Sequence, residues 1–268
     1  MLGVVRVSQR VLLLPLLAGF LAALVACADS AENAPEITVA AAADLQFAFQ
    51  DISTAFEQTC NCKMVLTFGS SGNFAAQIEE GLPADVFASA DTAYVDDLDR
   101  KGLILADTKQ VYGVGRIVLA VSAGSALQGS DLSDLLNPAI RKIAIANPDH
   151  APYGVAAKQA LEKVGLWDAV KPKLVLGENA SQASQFVETG DAQAGIIPLS
   201  LAVQGRDRFR YVLIDQSLYT PLRQAAAVVA RSRQPDLARA FIEFLNGPQG
   251  RPIMKKYGFV LPGEEAAP

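Results

Sequence analysis

The residues of this chain best suited to chemistry lie in one short stretch, Phe68-Gly69-Ser70-Ser71-Gly72-Asn73. It joins an apolar segment, Lys63 to Thr67, to a helical pattern that begins near Asn73. Two hydroxyls, several backbone N–H groups and no cation are gathered where a strand turns into a helix. The first N–H groups of a helix have no partner within it, and the helix dipole adds partial positive charge there. Such a turn can hold an anion with neutral donors alone. Glycine lets those donors approach a ligand closely. The plainer reading is a helix cap, since Ser and Asn favour such positions in any protein.

Other candidate chemistries find little support. His150 is the single histidine, no G-x-S-x-G turn is present, and no H-E-x-x-H pattern occurs, so neither a serine hydrolase nor a zinc hydrolase is indicated. Cys60 and Cys62 form a C-x-C pair. In an oxidising compartment they either bridge or stay free, and metal or redox use is disfavoured without a second ligand pair or C-x-x-C spacing. The carboxylates of Glu79, Glu80, Asp96, Asp97 and Asp99 read as solvated helix faces, and Trp167 as a packing residue.

The elements that position the turn begin after an amino-terminal leader. Arg6 and Arg10 precede an apolar run from Val11 to Ala26, and Cys27 follows. The run contains Pro15 and Gly19 and is shorter than the roughly 20 residues that an ordinary spanning helix needs. It reads as an export signal over residues 1–26. Leu24-Val25-Ala26-Cys27 is similar to a bacterial lipoprotein box, which implies acylation of Cys27, a tether over 27–35 and a lipid-anchored protein in the periplasm. Without Arg6 and Arg10, 21 basic side chains face 28 acidic ones, a net charge of −7. That surface argues against nucleic acid, and it leaves anion binding to local donors.

Beyond the tether, β-like and helix-like segments alternate, which predicts an α/β architecture with largely parallel sheets. Strands are expected at Ile37 to Ala42, Lys63 to Thr67, Ala84 to Ser89, Gly115 to Ser122, Lys142 to Ala146, Lys173 to Leu176, Ala192 to Pro198, Tyr211 to Ile214 and Ala225 to Ala230. Helices are expected from Asp44, from Asn73, after Asp91, over Val155 to Val164, over Ser181 to Thr189, over Pro235 to Leu245 and over Gln249 to Tyr257. The order repeats in two halves. Lobe I is assigned to 36–116 plus 225–268 and lobe II to 117–224, with a ligand cleft between them near the carboxyl ends of the strands.

Longer stretches carry a specific resemblance. Ile37 to Leu45 (ITVAAAADL), Phe68 to Gly72 (FGSSG), Gly81 to Asp91 (GLPADVFASAD), Asn147 to Gly154 (NPDHAPYG), Gly177 to Gln182 (GENASQ) and Lys256 to Phe259 (KYGF) resemble the periplasmic molybdate-binding proteins of ABC importers. The match runs in order through nearly all of the chain after the leader. It implies a bilobal periplasmic-binding-protein fold of type II, with two mixed, mostly parallel sheets. It also implies no enzymatic activity and no cofactor, a monomer that binds molybdate or tungstate, and delivery to an ABC permease of the inner membrane. A smaller oxyanion such as sulfate is a further alternative, and a secreted hydrolase or an envelope adhesin stands outside the class.

Carried over by position, the family's serine-rich turn falls on Ser70 and Ser71, its loop after the central strand on Tyr153, and its backbone donor before the next helix on Ala180. Two positions depart from the family pattern. Asp44 stands where a serine is usual, and Pro198 stands where many members carry a donor tyrosine. An ionised carboxylate aimed at a dianion would be unfavourable in a dry site. Asp44 is therefore expected to cap its own helix and leave backbone N–H groups to donate. Tyr153 is expected to supply the hydroxyl that Pro198 lacks.

Overall fold

The computed structural model describes Gly3 and residues 34–127, 129–205 and 207–264. The export signal, Cys27 and most of the tether lie outside the described residues. Every element below belongs to the unit Glu36–Pro268.

Two five-stranded sheets organise this unit. In the first, β1 (Glu36–Ala42) pairs in parallel with β2 (Lys63–Gly69) and β3 (Val86–Ser89). The antiparallel strand β10 (Leu222–Val228) then joins β3 to β4 (Gln110–Gly115). In the second sheet, β6 (Ile143–Ala146) pairs in parallel with β7 (Leu174–Gly177) and β8 (Ala194–Pro198). There β5 (Ile117–Ser122) is the antiparallel strand, lying between β8 and β9 (Phe209–Leu213). The parallel trios follow from helical crossovers, which return the chain in the same direction. The antiparallel members are the strands at which the chain has just passed between sheets.

That passage corrects one expectation. Gly115 to Ser122 reads as a single apolar strand, yet β4 ends at Gly115, β5 starts at Ile117, and the two belong to different sheets. Arg116 marks the first crossing, and its guanidinium donates to the Gly258 carbonyl. Arg116 is the one charged residue in the run, and a lone charge does not by itself end a strand in the sequence pattern, so periodicity alone cannot reveal the break.

Most helices lie near where the apolar spacing puts them, and two short ones, over 167–170 and 199–204, add to those expected. A short 3₁₀ turn, Ala43–Leu45, leads into α1 (Gln46–Cys60). On the buried face of α1, Phe49 and Phe56 both pack edge-on against Phe241. The helix ends with Asn61 in the left-handed region, and Cys60 is disulfide-bonded to Cys62. Next come α2 (Ser71–Glu79) and α3 (Thr92–Arg100), the latter capped by Asp91 as expected. The second sheet is flanked by α4 (Pro152–Lys163), α5 (Trp167–Val170), α6 (Ala180–Glu188) and α7 (Leu199–Gln204). The chain returns to the first sheet with α8 (Pro235–Asn246) and α9 (Gly250–Lys256). Lys256 Nζ and Tyr257 Oη both reach Asp51 Oδ2 at 2.8 Å, which ties the last helix to α1.

Candidate functional site

Five strand ends and the turns or helix N-termini that follow them build the site. β1 and β2 run in register to Ala42 opposite Gly69, so the turn at 43–45 and the Ser-Gly turn leave the first sheet side by side. From the second sheet, β6 leads into the loop before α4, and β7 leads into Asn179, whose side chain caps α6 by accepting from Gln182 N. β8 ends at Pro198, directly before α7. Helix N-termini from both sheets therefore face one region, the geometry that favours a bound anion.

Ser70 is the N-cap of α2, its Oγ accepting from Asn73 N at 3.4 Å. Ser71 is fully buried, and its Oγ accepts from Ala90 N at 3.0 Å. A hydroxyl whose oxygen is already held by an N–H keeps its proton free to donate elsewhere. Ser70 thus caps α2, whereas Ser71 caps no helix and holds Ala90, and each has a hydroxyl proton to donate.

Asp44 departs from its expected role. The turn it occupies has no side-chain cap, and the carboxylate, 1% exposed, accepts at Oδ2 from Tyr153 Oη at 2.9 Å and from Gln224 Nε2 at 2.8 Å. Gln224 Nε2 is also 3.1 Å from Tyr153 Oη, which closes a three-membered cluster. Burial pushes the Asp44 carboxyl up to about 6, against the opposing pull of these two hydrogen bonds. Oδ1 of Asp44 and Oε1 of Gln224 are buried without a protein partner. As a neutral acid, Asp44 can donate a hydrogen bond where a carboxylate would repel an anion.

Tyr153 also differs from its expected role, because its hydroxyl is turned onto Asp44. The reason lies in the helix boundary. Pro152 starts α4 three residues ahead of the expected Val155, since proline fits the first helical position, and Tyr153 is thereby folded into the buried first turn. Burial, then the Asp44 charge, holds its phenol well above the usual tyrosine range, so it remains a neutral donor. Gly115 makes room for the cluster. A Cβ there would overlap Tyr153 Oη and come within 2.7 Å of Gln224 Nε2.

Further hydrogen bonds join elements of the two sheets around this cluster. Ser200 Oγ donates to the Asp44 carbonyl at 2.8 Å, and Ser181 Oγ reaches the Ala43 carbonyl at 3.0 Å. Gly72 N donates to the His150 carbonyl at 3.0 Å, and Asn73 Nδ2 donates to Glu178 Oε1 at 2.6 Å. Ala180 is buried in the first turn of α6, beside Ser181. Pro198 pairs with Ile117 and precedes α7, whose Ser200 holds the turn of Asp44. Sequence reasoning missed Gln224 and Ser200. Ser200 is a lone polar residue in an apolar segment, and Gln224 follows Arg223 at the start of an apolar strand, signals that pattern reading passes over.

Comparison with known proteins finds relatives in sequence and in structure. Residues 37–260 match the family model described as bacterial extracellular solute-binding protein. The chain is similar to the "Molybdate-binding protein ModA" of Azotobacter vinelandii, at 36% identity over 90% of this chain and 94% of that one. It is similar to the protein of the same name from Escherichia coli K12, at 34% identity over 84% and 89%. Among solved structures, the periplasmic molybdate-binding protein of Azotobacter vinelandii superposes with a TM-score of 0.80 at 30% identity, covering 84% of this chain and 99% of that one.

Proposed function

We propose that this chain, which belongs to the family of bacterial extracellular solute-binding proteins that includes the ModA proteins, captures molybdate between its two lobes and hands it to an ABC importer. One observation carries the reading. Helix N-termini and neutral donors from both sheets converge on a buried region that holds one unpartnered carboxyl oxygen and no cationic side chain among its named contacts. A tetrahedral dianion fits such a donor set, because hydrogen bonds from a preorganised, water-poor site replace its hydration.

The residues divide the task. Ser70 and Ser71 offer hydroxyl protons from the first lobe, the backbone N–H of Ala180 donates from the second, and Asp44 with Tyr153 forms the floor. Pro198 contributes shape rather than a donor, and Ser200 behind it fixes the turn of Asp44. Anion held by both lobes stabilises the closed form, and hinge motion about the crossing at 116 and the return near 222 releases it. Tungstate, nearly isosteric with molybdate, enters the same site. The chain works as a monomer, anchored to the envelope through acylated Cys27, and docks on a membrane permease.

Titration calorimetry with molybdate, tungstate, sulfate and phosphate tests this reading. Saturable binding of one molybdate or tungstate per chain is expected, with sulfate much weaker. Failure to bind any of the four would overturn it.

A further inference from the structure

Resting on the oxyanion-binding reading, we propose that His150 is a positioning residue that aims the Ser70 hydroxyl at the bound anion and ties the two lobes together around it. His150 lies in the loop between β6 and α4, and its Nδ1 is 2.9 Å from Ser70 Oγ. Ser70 Oγ also accepts from Asn73 N. A hydroxyl has one proton and two lone pairs. When Asn73 N–H and an Nδ1–H of His150 occupy the lone pairs, the Ser70 proton is left for the anion. When Nδ1 carries no hydrogen, the Ser70 proton turns to the imidazole and the site loses a donor. Ser70 can thus serve the anion fully only with hydrogen on Nδ1.

The surroundings of the ring suit this role. Nε2 lies 3.9 Å from Glu178 Oε1, and the same carboxylate accepts from Asn73 Nδ2 at 2.6 Å. Glu178 therefore stands near the imidazole, beyond hydrogen-bond distance, and accepts from the first turn of α2. The backbone adds an independent tie, since the His150 carbonyl accepts from Gly72 N at 3.0 Å. A Cβ on Gly72 would lie 2.7 Å from that carbonyl oxygen, so only glycine allows this approach. Backbone and side chain of one residue thus grip both ends of the Ser-Gly turn from the opposite lobe.

Because His150 is the single histidine of the sequence, an untagged protein gives a direct readout. In the ¹⁵N imidazole spectrum, sodium molybdate is expected to move the Nδ1 signal into the range of a hydrogen-bearing nitrogen. In calorimetry, His150→Ala is expected to bind molybdate about tenfold more weakly, with faster release, the effect of one lost hydrogen bond. His150→Asn, whose amide nitrogen can stand near the Nδ1 position, is expected to recover most of that loss, which a purely structural role for the ring would not produce. The spectrum needs no substitution, so a variant that folds poorly does not shield the proposal. Nδ1 without hydrogen in the molybdate-loaded protein, or parental affinity in His150→Ala, would overturn it. An unsubstituted chain that takes up no molybdate would instead sink the oxyanion reading, and this inference with it.

Discussion

Tyr153 Oη donates to Asp44 Oδ2 at 2.9 Å, joining the first turn of α4 to the turn that follows β1. The bond links two of the positions at which an oxyanion site is expected, and it places an ionisable group where a dianion would be repelled. Its sign with pH follows from the Asp44 carboxyl, raised by burial from 3.8 to about 6. Below pH 3.8 the carboxyl is neutral in both folded and unfolded chains and costs nothing. Between about 4 and 6 the unfolded chain ionises first, and the folded state loses stability. Above about 6 that loss is complete, roughly 3 kcal/mol. Asp44→Asn removes the titration. Urea unfolding at pH 4 and at pH 7.5 should therefore show a stability advantage for Asp44→Asn that grows with pH. Molybdate affinity of the parent should fall as pH rises past 6, whereas that of Asp44→Asn should stay level. Parallel profiles for the two proteins would contradict this.

Tyr153→Phe isolates the hydroxyl. It removes one of the two hydrogen bonds that hold the Asp44 carboxyl down, leaving Gln224 as the other. The midpoint of the pH profile should therefore rise. Because more of the Asp44 carboxyl is then in the neutral form that does not repel the anion, molybdate affinity at neutral pH should rise. Unchanged affinity in a calorimetric comparison would remove Tyr153 from the site.

Much of this arrangement is legible in the sequence because local rules and tertiary demands coincide. The Ser-Gly turn, the Asp91 cap and the apolar face of α1 appear where spacing and capping chemistry put them. The failures share one cause, which is that non-local contacts decide them. Arg116 separates two strands of different sheets that the sequence pattern merges into one. Asp44 has a local capping alternative, yet Tyr153 and Gln224, 109 and 180 residues away in sequence, supply the hydrogen bonds that orient it. Whether Cys60 and Cys62 bridge was open on spacing alone, and the left-handed Asn61 between them brings the two together.

Gly115 gives a steric test of the cluster. It is the last residue of β4, and an added Cβ would overlap Tyr153 Oη. Gly115→Ala must push Tyr153 or Gln224 aside, and overpacking of this kind costs about 1–3 kcal/mol. The variant should keep its fold, with a lower melting temperature by circular dichroism, and lose at least tenfold in molybdate affinity. Parental affinity would mean that the geometry of the cluster is immaterial to binding.

Ser70 and Ser71 separate donor from scaffold, because the two hydroxyls have different second duties. Ser71 Oγ is the acceptor for Ala90 N–H in a fully buried position, so Ser71→Ala strands a backbone donor as well as removing the hydroxyl proposed to hold the anion. The stranded donor should cost about 1–3 kcal/mol, which at this chain length lowers the melting temperature by several degrees. Ser70 Oγ holds Asn73 N at the longer distance of 3.4 Å, so Ser70→Ala should cost about 0.5 kcal/mol, the low end of the capping range. Molybdate affinity should fall in both variants. Paired melting and calorimetry measurements therefore have a distinctive expected pattern: similar losses of affinity with unequal losses of stability. If affinity fell only in proportion to stability, the hydroxyls would be scaffold, and the anion would be held by backbone N–H groups alone.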